Sequence, residues 1–224
     1  MISIIIPTLN EASRIAECVA VLQSLPGRKE VIVADGGSKD STVCRARAAG
    51  AIVVECDCGR GVQMHTAARI AHGEVFWFLH ADTLPEPEAL ARINDALLDE
   101  RVAAGNFSLV FDGAGLAARQ MTWIYPRLRL LGLVYGYSGL FVRRLPYETI
   151  GGFQPYPLFE DLDLIRRLRR HGRFVHLTAT VRTSSRRFGG PQYARVWVQW
   201  IVLQVLFWVG VSPYRLGRWY RHVR

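Results

Sequence analysis

Lysine is scarce in this 224-residue chain, and acidic residues disappear from roughly its last quarter. Of the 28 basic residues only Lys29 and Lys39 are lysines, and after Asp163 the chain has 13 arginines and no aspartate or glutamate. A surface of such one-sided charge attracts phosphates, anionic lipids or nucleic acid. The arginines alternate with apolar helix positions and no helix-turn-helix or RNA-binding signature accompanies them, so we do not expect nucleic acid as a partner.

Cysteines are also few, and their spacing excludes the common metal and redox motifs. The four are Cys18, Cys44, Cys56 and Cys58. One residue separates the last two, whereas zinc knuckles and redox pairs have two, so we expect reduced thiols in a cytoplasmic protein. The N-terminal apolar run has no basic segment before it and no cleavage site, which predicts a buried strand rather than a signal peptide.

Strand and helix patterns alternate through the first half of the chain. Apolar, partly β-branched runs predict strands at 2–6, 30–34, 51–55 and 74–79, and helices follow at 40–49, 62–71, 85–98 and, after a cap at Asn10 or Ser13, up to 22. This order implies a parallel, doubly wound α/β sheet with helices on both faces. Ligands in such sheets bind beyond the carboxyl ends of the strands.

The second half is less regular, and the whole is expected to form a mixed, mostly parallel sheet. Strands are predicted at 103–111, 139–142 and 173–177, and helices at 116–133, 161–170 and 196–211. We expect one domain over residues 1–190, with its first half at 1–100 and its second half at 101–190. A C-terminal helical extension would cover 191–224.

The C-terminal segment 196–211 contains no charged residue, yet it is short for a membrane span, which needs about 20 residues. Arginines and aromatic residues surround it, as is typical of helices at a membrane surface. Three interpretations stay open: a helix on the inner face of the cell membrane, a helix packed on the catalytic domain or on a second subunit of a homodimer, and a true span.

Short polar motifs follow the first two predicted strands. They comprise Pro7, Thr8, Asn10 and Glu11 after the first strand, and Asp35, Gly36 and Gly37 after the second. A fixed proline and short polar side chains can form a rim for a nucleobase and its ribose. The carboxylate can accept a hydrogen bond from a uracil N–H or a ribose hydroxyl, and the glycines allow close backbone approach. The alternative is an ordinary connection with a helix cap.

His80, Ala81 and Asp82 end the fourth predicted strand. A carboxylate there can bind a Mg²⁺ or Mn²⁺ ion that bridges two phosphates, because these ions prefer oxygen ligands and take some of them from the substrate. The ion would neutralise charge on a departing diphosphate. The alternative is a helix N-cap formed by Asp82 or Thr83.

Glu160 and Asp161 stand at the start of a predicted arginine-rich helix. Sugar transfer needs a base that removes the proton of the acceptor hydroxyl. A carboxylate at a helix N-terminus is preorganised for this task, and apolar neighbours would raise the pKa of such a group. The alternative is an acidic helix start without a catalytic role, which is common.

Together these motifs resemble glycosyltransferase family 2, inverting enzymes of the GT-A fold, and in particular its small bacterial members. The resemblance covers roughly residues 1–180 of an expected catalytic domain 1–190, with a nucleotide-binding half at 1–100 and an acceptor half at 101–190. It implies a nucleotide-diphosphate sugar donor, with a UDP-sugar favoured, a Mn²⁺ or Mg²⁺ cofactor, and an acceptor hydroxyl, with a lipid-linked acceptor as one option. By position, Thr8, Glu11 and Asp35 would hold the nucleoside, Asp82 the metal and Arg60 the base or diphosphate, and Asp161 would be the catalytic base with Glu160 beside it.

Two departures from the family pattern matter. The family usually carries an aspartate at both ends of its DXD element, whereas His80 occupies the first position here. The Gln-x-x-Arg-Trp element of processive synthases is absent, which argues against a polymer-extruding enzyme. Arg186 and Arg187 lie in that region and are predicted to hold the leaving diphosphate.

The acceptor is expected beside the predicted helix 116–133. Trp123, Tyr125 and Tyr137 offer rings for a sugar or a lipid head group. Two alternatives to an active transferase are kept. One is a catalytically degenerate module that binds nucleotide or a membrane surface. The other is a nucleotidyltransferase, which normally needs a glycine-rich basic loop near the first strand that this sequence does not have.

Overall fold

The computed structural model describes residues 1–113, 115–130, 138–184 and 193–220, whose strands form one eight-stranded sheet. The strands are β1 (Ile2–Thr8), β2 (Lys29–Asp35), β3 (Ile52–Glu55), β4 (Val75–Phe78), β5 (Thr83–Pro85), β6 (Val102–Asp112), β7 (Leu140–Arg143) and β8 (Arg173–Ser184). Their spatial order is β3-β2-β1-β4-β7-β6-β8-β5. Strand β1 is buried along its whole length, which explains the apolar residues at positions 2 and 4–7.

Helices cover both faces of this sheet. They are α1 (Ile15–Ser24), α2 (Thr42–Ala48), α3 (Arg60–Ile70), α4 (Ala89–Ala96), α5 (Leu116–Leu130), α6 (Arg144–Thr149), α7 (Glu160–Leu168), α8 (Tyr193–Trp208) and α9 (Pro213–Trp219). One hydrophobic core packs α1, α4 and α5 against one face, and a second packs α3 and α7 against the other. The two cores follow from the alternation of side chains along each strand.

The sheet is mixed but mostly parallel, which confirms the predicted fold class. Strands β1, β2, β3 and β4 pair in parallel, as do β6 and β8. Strand β7 runs antiparallel between β4 and β6, and β5 antiparallel beside β8. As a result β1, β2, β4, β6 and β8 all end at one edge of the sheet, which we call the carboxyl edge. Every motif singled out in the first half of the sequence lies there.

Several elements differ from those predicted. Strand β8 continues to Ser184 rather than 177, because its second part pairs with residues 108–112 of β6. Helix α4 begins at Ala89 rather than at 85, and residues 83–85 form a strand instead, since Thr83 pairs with Thr183 across the sheet. The short helices α6 and α9 were not predicted, and the predicted helix end at 131–133 lies outside the described residues.

The C-terminal helices pack on the start of α7 and the loop before it through a small third core. Its buried members are Leu158, Phe159, Leu162, Leu203 and Leu216. Three come from the start of α7 and the loop before it, and one each from α8 and α9. In the described parts of the chain, no helix is both long and apolar enough to cross a bilayer.

Candidate active site

The Asp35 carboxylate organises the loop that follows β2. It is buried and accepts hydrogen bonds from the backbone N–H groups of Gly37 (3.0 Å) and Ser38 (2.8 Å), and from the Ser38 hydroxyl (2.5 Å). The buried Thr8 hydroxyl lies 3.3 Å from the same carboxylate. Gly37 has φ +88°, a conformation that side chains rarely adopt, so a glycine closes this turn.

The loop after β1 is tied to the loop after β2. Asn10 has φ 56° and its side-chain oxygen accepts a hydrogen bond from the N–H of Lys39 (2.9 Å), while its own N–H donates to the Ser38 hydroxyl (2.8 Å). The N–H of Glu11 donates to the hydroxyl of Thr42 at 2.8 Å. The structure therefore brings the predicted residues of these two loops together into one wall at the carboxyl edge.

Gln63, which sequence reasoning missed, links this wall to α3. Its buried side-chain NH₂ group donates to the carbonyls of Thr8 (2.7 Å) and Ala34 (2.8 Å), which lie at the ends of β1 and β2. A side chain on Gly36 would meet this amide at 3.1 Å, so the second residue of the Asp-Gly-Gly turn leaves room for it. A lone glutamine inside a helix carries no signal in the sequence that would reveal this role.

The first turns of α3 and α7 meet at the site. Nη2 of Arg60 lies 2.5 Å from Oε1 of Glu160, which is almost fully buried. Gly61 allows the start of α3 to approach the start of α7 and the loop before it, because a side chain at Gly61 would come within 2.6 Å of the Gln154 carbonyl. Arg60 is the first residue of α3, whereas the sequence placed it before the helix. Two helix N-termini, each with partial positive charge, thus point at the same region.

The two acidic residues of the Glu160-Asp161 pair have different surroundings. Burial raises the pKa of the Glu160 carboxyl, Arg60 opposes this rise, and the charge of Asp161 adds to it. Asp161 is also buried, and its Oδ1 accepts a hydrogen bond from the N–H of Leu162 at 2.8 Å. Glu160 is held by the arginine of the neighbouring helix, while Asp161 lines the adjacent pocket.

Phe159, immediately before the acidic pair, has the unusual left-handed backbone conformation φ 63°, ψ 23°. For a bulky residue this conformation costs about 1–3 kcal/mol and persists only where packing enforces it. The ring of Phe159 is buried against Phe207 (4.9 Å between centroids) and Trp200 (5.7 Å), both on α8. Helix α8 thereby fixes the backbone from which the acidic pair projects.

His80, Ala81 and Asp82 lie between β4 and β5 at the carboxyl edge. Ala81 is buried, whereas His80 and Asp82 are half-buried. The N–H of Thr83 donates to the His80 carbonyl, and the Thr83 and Thr183 hydroxyls are 3.0 Å apart, which attaches this turn to the end of β8. His80 also lines a small pocket of about 10 Å³ between α3, β4 and α7. Its other walls include Arg60, Met64, Phe78, Phe153, Glu160 and Asp161.

The side chains of this turn fit a metal that takes most of its ligands from substrate and water. Magnesium and manganese sites of that kind need only one or two protein carboxylates, and Asp82 supplies one at the edge where substrate would lie. Within the described ranges no three His, Cys, Asp or Glu side chains gather into a closed metal cage.

The predicted acceptor residues do not form one surface. Trp123 is 61% exposed and lines a groove of about 460 Å³ between α5 and the end of β6, together with Arg119 and Arg127. The Arg127 guanidinium stacks 3.6 Å from the centre of the Trp123 ring. Tyr125 packs against Phe111 at 5.4 Å as part of the core. Tyr137, Arg186 and Arg187 lie outside the described residues.

The chain matches the family model for glycosyl transferase family 2 over residues 3–151. Since this match covers more than half of the sequence, the chain belongs to glycosyl transferase family 2. The family and the class of enzyme, a glycosyltransferase, are those predicted from the motifs.

Curated relatives and solved structures agree with this assignment. A PGL/p-HBAD biosynthesis glycosyltransferase of Mycobacterium bovis (strain BCG / Pasteur 1173P2) is 29% identical over 204 residues, covering 85% of this chain and 78% of the relative. The glucosyl-3-phosphoglycerate synthase of Mycolicibacterium smegmatis is 30% identical over 109 residues, but this covers only 43% of this chain and 36% of that enzyme.

The fold is similar to that of a mannosyltransferase from Pyrobaculum calidifontis, solved in complex with GDP-Man and Mn²⁺. The TM-score is 0.73 at 22% identity, over 92% of this chain and 61% of the other. Glucosyl-3-phosphoglycerate synthase from Mycobacterium tuberculosis, in complex with Mn²⁺, UDP and glucosyl-3-phosphoglycerate, gives 0.66 at 22% identity, over 95% of this chain and 81% of the other. Both likenesses confirm the fold.

Replacement of Gln63 by leucine should weaken the fold. The variant removes a buried donor from the Thr8 and Ala34 carbonyls, and we expect the free energy of unfolding to fall by about 1–3 kcal/mol. Gln23→Leu is the matched control, because Gln23 donates to the Gly50 carbonyl at an exposed position and should matter by less than about 0.5 kcal/mol. Urea denaturation measures the free energy of unfolding of both variants. Equal losses of stability in Gln63→Leu and Gln23→Leu would contradict the role assigned to Gln63.

Burial of Glu160 also predicts a pH dependence of stability. Because its pKa is raised in the folded protein, the folded state binds this proton more tightly than the unfolded state. Its contribution to stability is therefore complete below the ordinary glutamate pKa of 4.5 and is lost as the pH rises through the folded value. Glu160→Gln cannot ionise, so wild-type stability should fall relative to this variant as pH increases. Urea denaturation at a series of acidic to neutral pH values measures the free energy of unfolding of both proteins. If this free energy changes with pH in the same way in wild type and Glu160→Gln, the expectation is refuted.

Proposed function

We propose that this glycosyltransferase moves a sugar from a nucleotide-diphosphate donor to an acceptor hydroxyl, with inversion at the anomeric carbon and with Mn²⁺ or Mg²⁺ as cofactor. The observation that carries the proposal is the position of Asp161. This buried carboxylate shares a pocket with Arg60 and His80 at the carboxyl edge, beside the wall built around Asp35. A base, a cation for phosphate and a nucleoside wall therefore lie along one edge of the sheet.

The nucleoside is proposed to bind against the loops after β1 and β2. Thr8 and Asp35 are buried at this wall, and Glu11 is half-buried beside it. Hydrogen bonds within the loops fix the Asp35 carboxylate before any ligand arrives, which reduces the ordering cost of binding. A uracil N–H or a ribose hydroxyl is a suitable donor to this group, and we favour a UDP-sugar for that reason.

Asp82 would hold the metal, and Arg60 would face the diphosphate together with the N-terminus of α3. The bound ion would neutralise charge on the leaving diphosphate. Arg60 is also paired with Glu160, so its guanidinium is held in place at the mouth of the pocket. Arg186 and Arg187 follow closely after β8 in sequence and remain proposed ligands of the same diphosphate.

Asp161 is the proposed catalytic base. The acceptor oxygen forms a bond to the anomeric carbon as the bond from that carbon to the diphosphate oxygen breaks, and the acceptor proton passes to the Asp161 carboxylate. Attack from the face opposite the leaving group inverts the configuration. Glu160 positions this base through its ion pair with Arg60 and its place on the same helical turn.

The acceptor is proposed to carry negative charge as well as a hydroxyl. The groove at the end of β6 combines the exposed ring of Trp123 with the guanidinium groups of Arg119 and Arg127. Guanidinium groups suit phosphate and carboxylate, and the ring suits a sugar face or a lipid head group. A phosphorylated, lipid-linked acceptor fits both features.

A thermal-shift titration with UDP, GDP and CDP, each with and without Mn²⁺, tests donor binding. With ligand at about 100 times its dissociation constant, we expect a rise in melting temperature of about 5–10 °C with UDP, and only when Mn²⁺ is present. Asp82→Ala should abolish the rise. Asp95→Ala, at an exposed position of α4, should keep it. No shift with any nucleotide would refute the proposed donor site.

Asp161→Asn should remove catalysis without removing the nucleotide. We expect turnover to fall by about 10²–10⁴-fold, since the asparagine cannot accept the proton, while the nucleotide-induced thermal shift persists. Donor hydrolysis, with water in place of the acceptor, is the turnover to be measured. Asp163→Asn is the matched control on the same helix, because Asp163 is paired with Arg167 at 2.7 Å and should leave turnover nearly unchanged. Equal losses in both variants would argue against Asp161 as the base.

A further inference from the structure

Helix α8 is apolar on two opposite faces. The inner face packs Trp200, Leu203 and Phe207 onto the loop before α7. The outer face forms what we call the α8 stripe, whose members recur at helical spacing over about three turns. The α8 stripe consists of Val198 (61% exposed), Ile201 (53%), Val202 (50%), Val205 (46%), Trp208 (59%) and, just past the helix, Val209 (72%). A helix that is apolar all round is normally buried on all sides, and contiguous exposed patches of this kind mark interaction surfaces.

Basic and aromatic residues adjoin the α8 stripe at its C-terminal end. On α9, Tyr214 is 52% and Trp219 60% exposed, and Arg215 and Arg218 are exposed between them. None of the described salt bridges involves either arginine. Such a combination of apolar stripe, interfacial aromatics and arginines matches the chemistry of a bilayer surface, whose hydrocarbon lies beneath anionic head groups.

We infer that the α8 stripe and the exposed side chains of α9 form a docking surface for an anionic lipid bilayer. Charge distinguishes this occupant from a second copy of the chain. After Asp163 every charged residue is an arginine, so a symmetric contact between two such surfaces would place arginine against arginine. An anionic membrane supplies the opposite charge. Because the inner face of α8 stays packed on the loop before α7, the helix would lie in the plane of the interface.

This surface lies one helix diameter, about 10 Å, from the residues before the acidic pair, because the inner face of α8 contacts Phe159 directly. Where the proposed transfer reaction holds, its acceptor would be presented at the membrane beside the site. Lipid docking itself does not depend on that reaction, and it is measured without any nucleotide or sugar. A failure of lipid docking is therefore distinguishable from a failure of the proposed transfer reaction.

Co-sedimentation of the full chain with vesicles tests the inference. We expect binding to vesicles of phosphatidylcholine mixed with phosphatidylglycerol, weaker binding to phosphatidylcholine alone, and loss of the difference at high salt.

The double variant Ile201→Glu/Val205→Glu should lower the vesicle partition coefficient at least about tenfold, because it places two charges in the apolar stripe. The matched control, Leu98→Glu/Leu145→Glu, makes the same change at positions 82% and 75% exposed on the opposite edge of the sheet and should bind like wild type. Equal binding by wild type and stripe variant would overturn the inference.

Two further measurements keep the inference falsifiable if the stripe variant does not fold. Tryptophan fluorescence of the wild type should shift to the blue on mixing with the anionic vesicles and should be quenched by brominated lipids, since Trp208 and Trp219 would enter the interface. Absence of both effects would overturn the inference. Sedimentation velocity should show a monomer; a dimer that dissociates in the stripe variant would assign the α8 stripe to a second copy instead.

Discussion

The ion pair between Arg60 and Glu160 joins the two halves of the candidate active site. Arg60 opens α3, which follows strands β1 to β3, and Glu160 opens α7, which belongs to the other half of the chain. A buried pair of this kind is worth little as a source of stability, because desolvation of both charges offsets their attraction. Its effect is positional: with Gly61 permitting contact, it sets how far the proposed base stands from the proposed diphosphate site.

The sequence allowed most of the fold to be predicted, because its signals were local. The buried run of β1 and the Asp-Gly-Gly turn after β2 each encode their own geometry within a few residues. Strand β5 and the long second part of β8 could not be predicted, since Thr83 and Thr183 meet across 100 residues of chain. Their pairing is a tertiary contact that overrides the helix signal of Pro85 and the acids that follow it.

The candidate site shows the same division. Thr8, Asp35 and Asp82 were predicted as site residues because they follow strand ends, and Asp161 because it lies at the acidic start of a helix. Gln63 on α3 was not predicted, because its role depends on hydrogen bonds to two backbone carbonyls of strands β1 and β2. Tyr125 was correctly predicted to lie on a helix. Only the fold shows that its ring packs against the core, whereas the ring of Trp123, two residues earlier, lines the groove.

The left-handed backbone of Phe159 has a consequence for how the chain can be divided. Its conformation is maintained by aromatic rings that arrive only with α8, more than 40 residues later in the chain. Removal of the C-terminal helices would uncover Leu158 and Leu162 and free the peptide just before the acidic pair to relax. Helix α8, whose outer face is proposed to contact a membrane, is thus also part of the scaffold of the candidate active site. The two roles cannot be separated by truncation, only by substitutions confined to the outer face of α8.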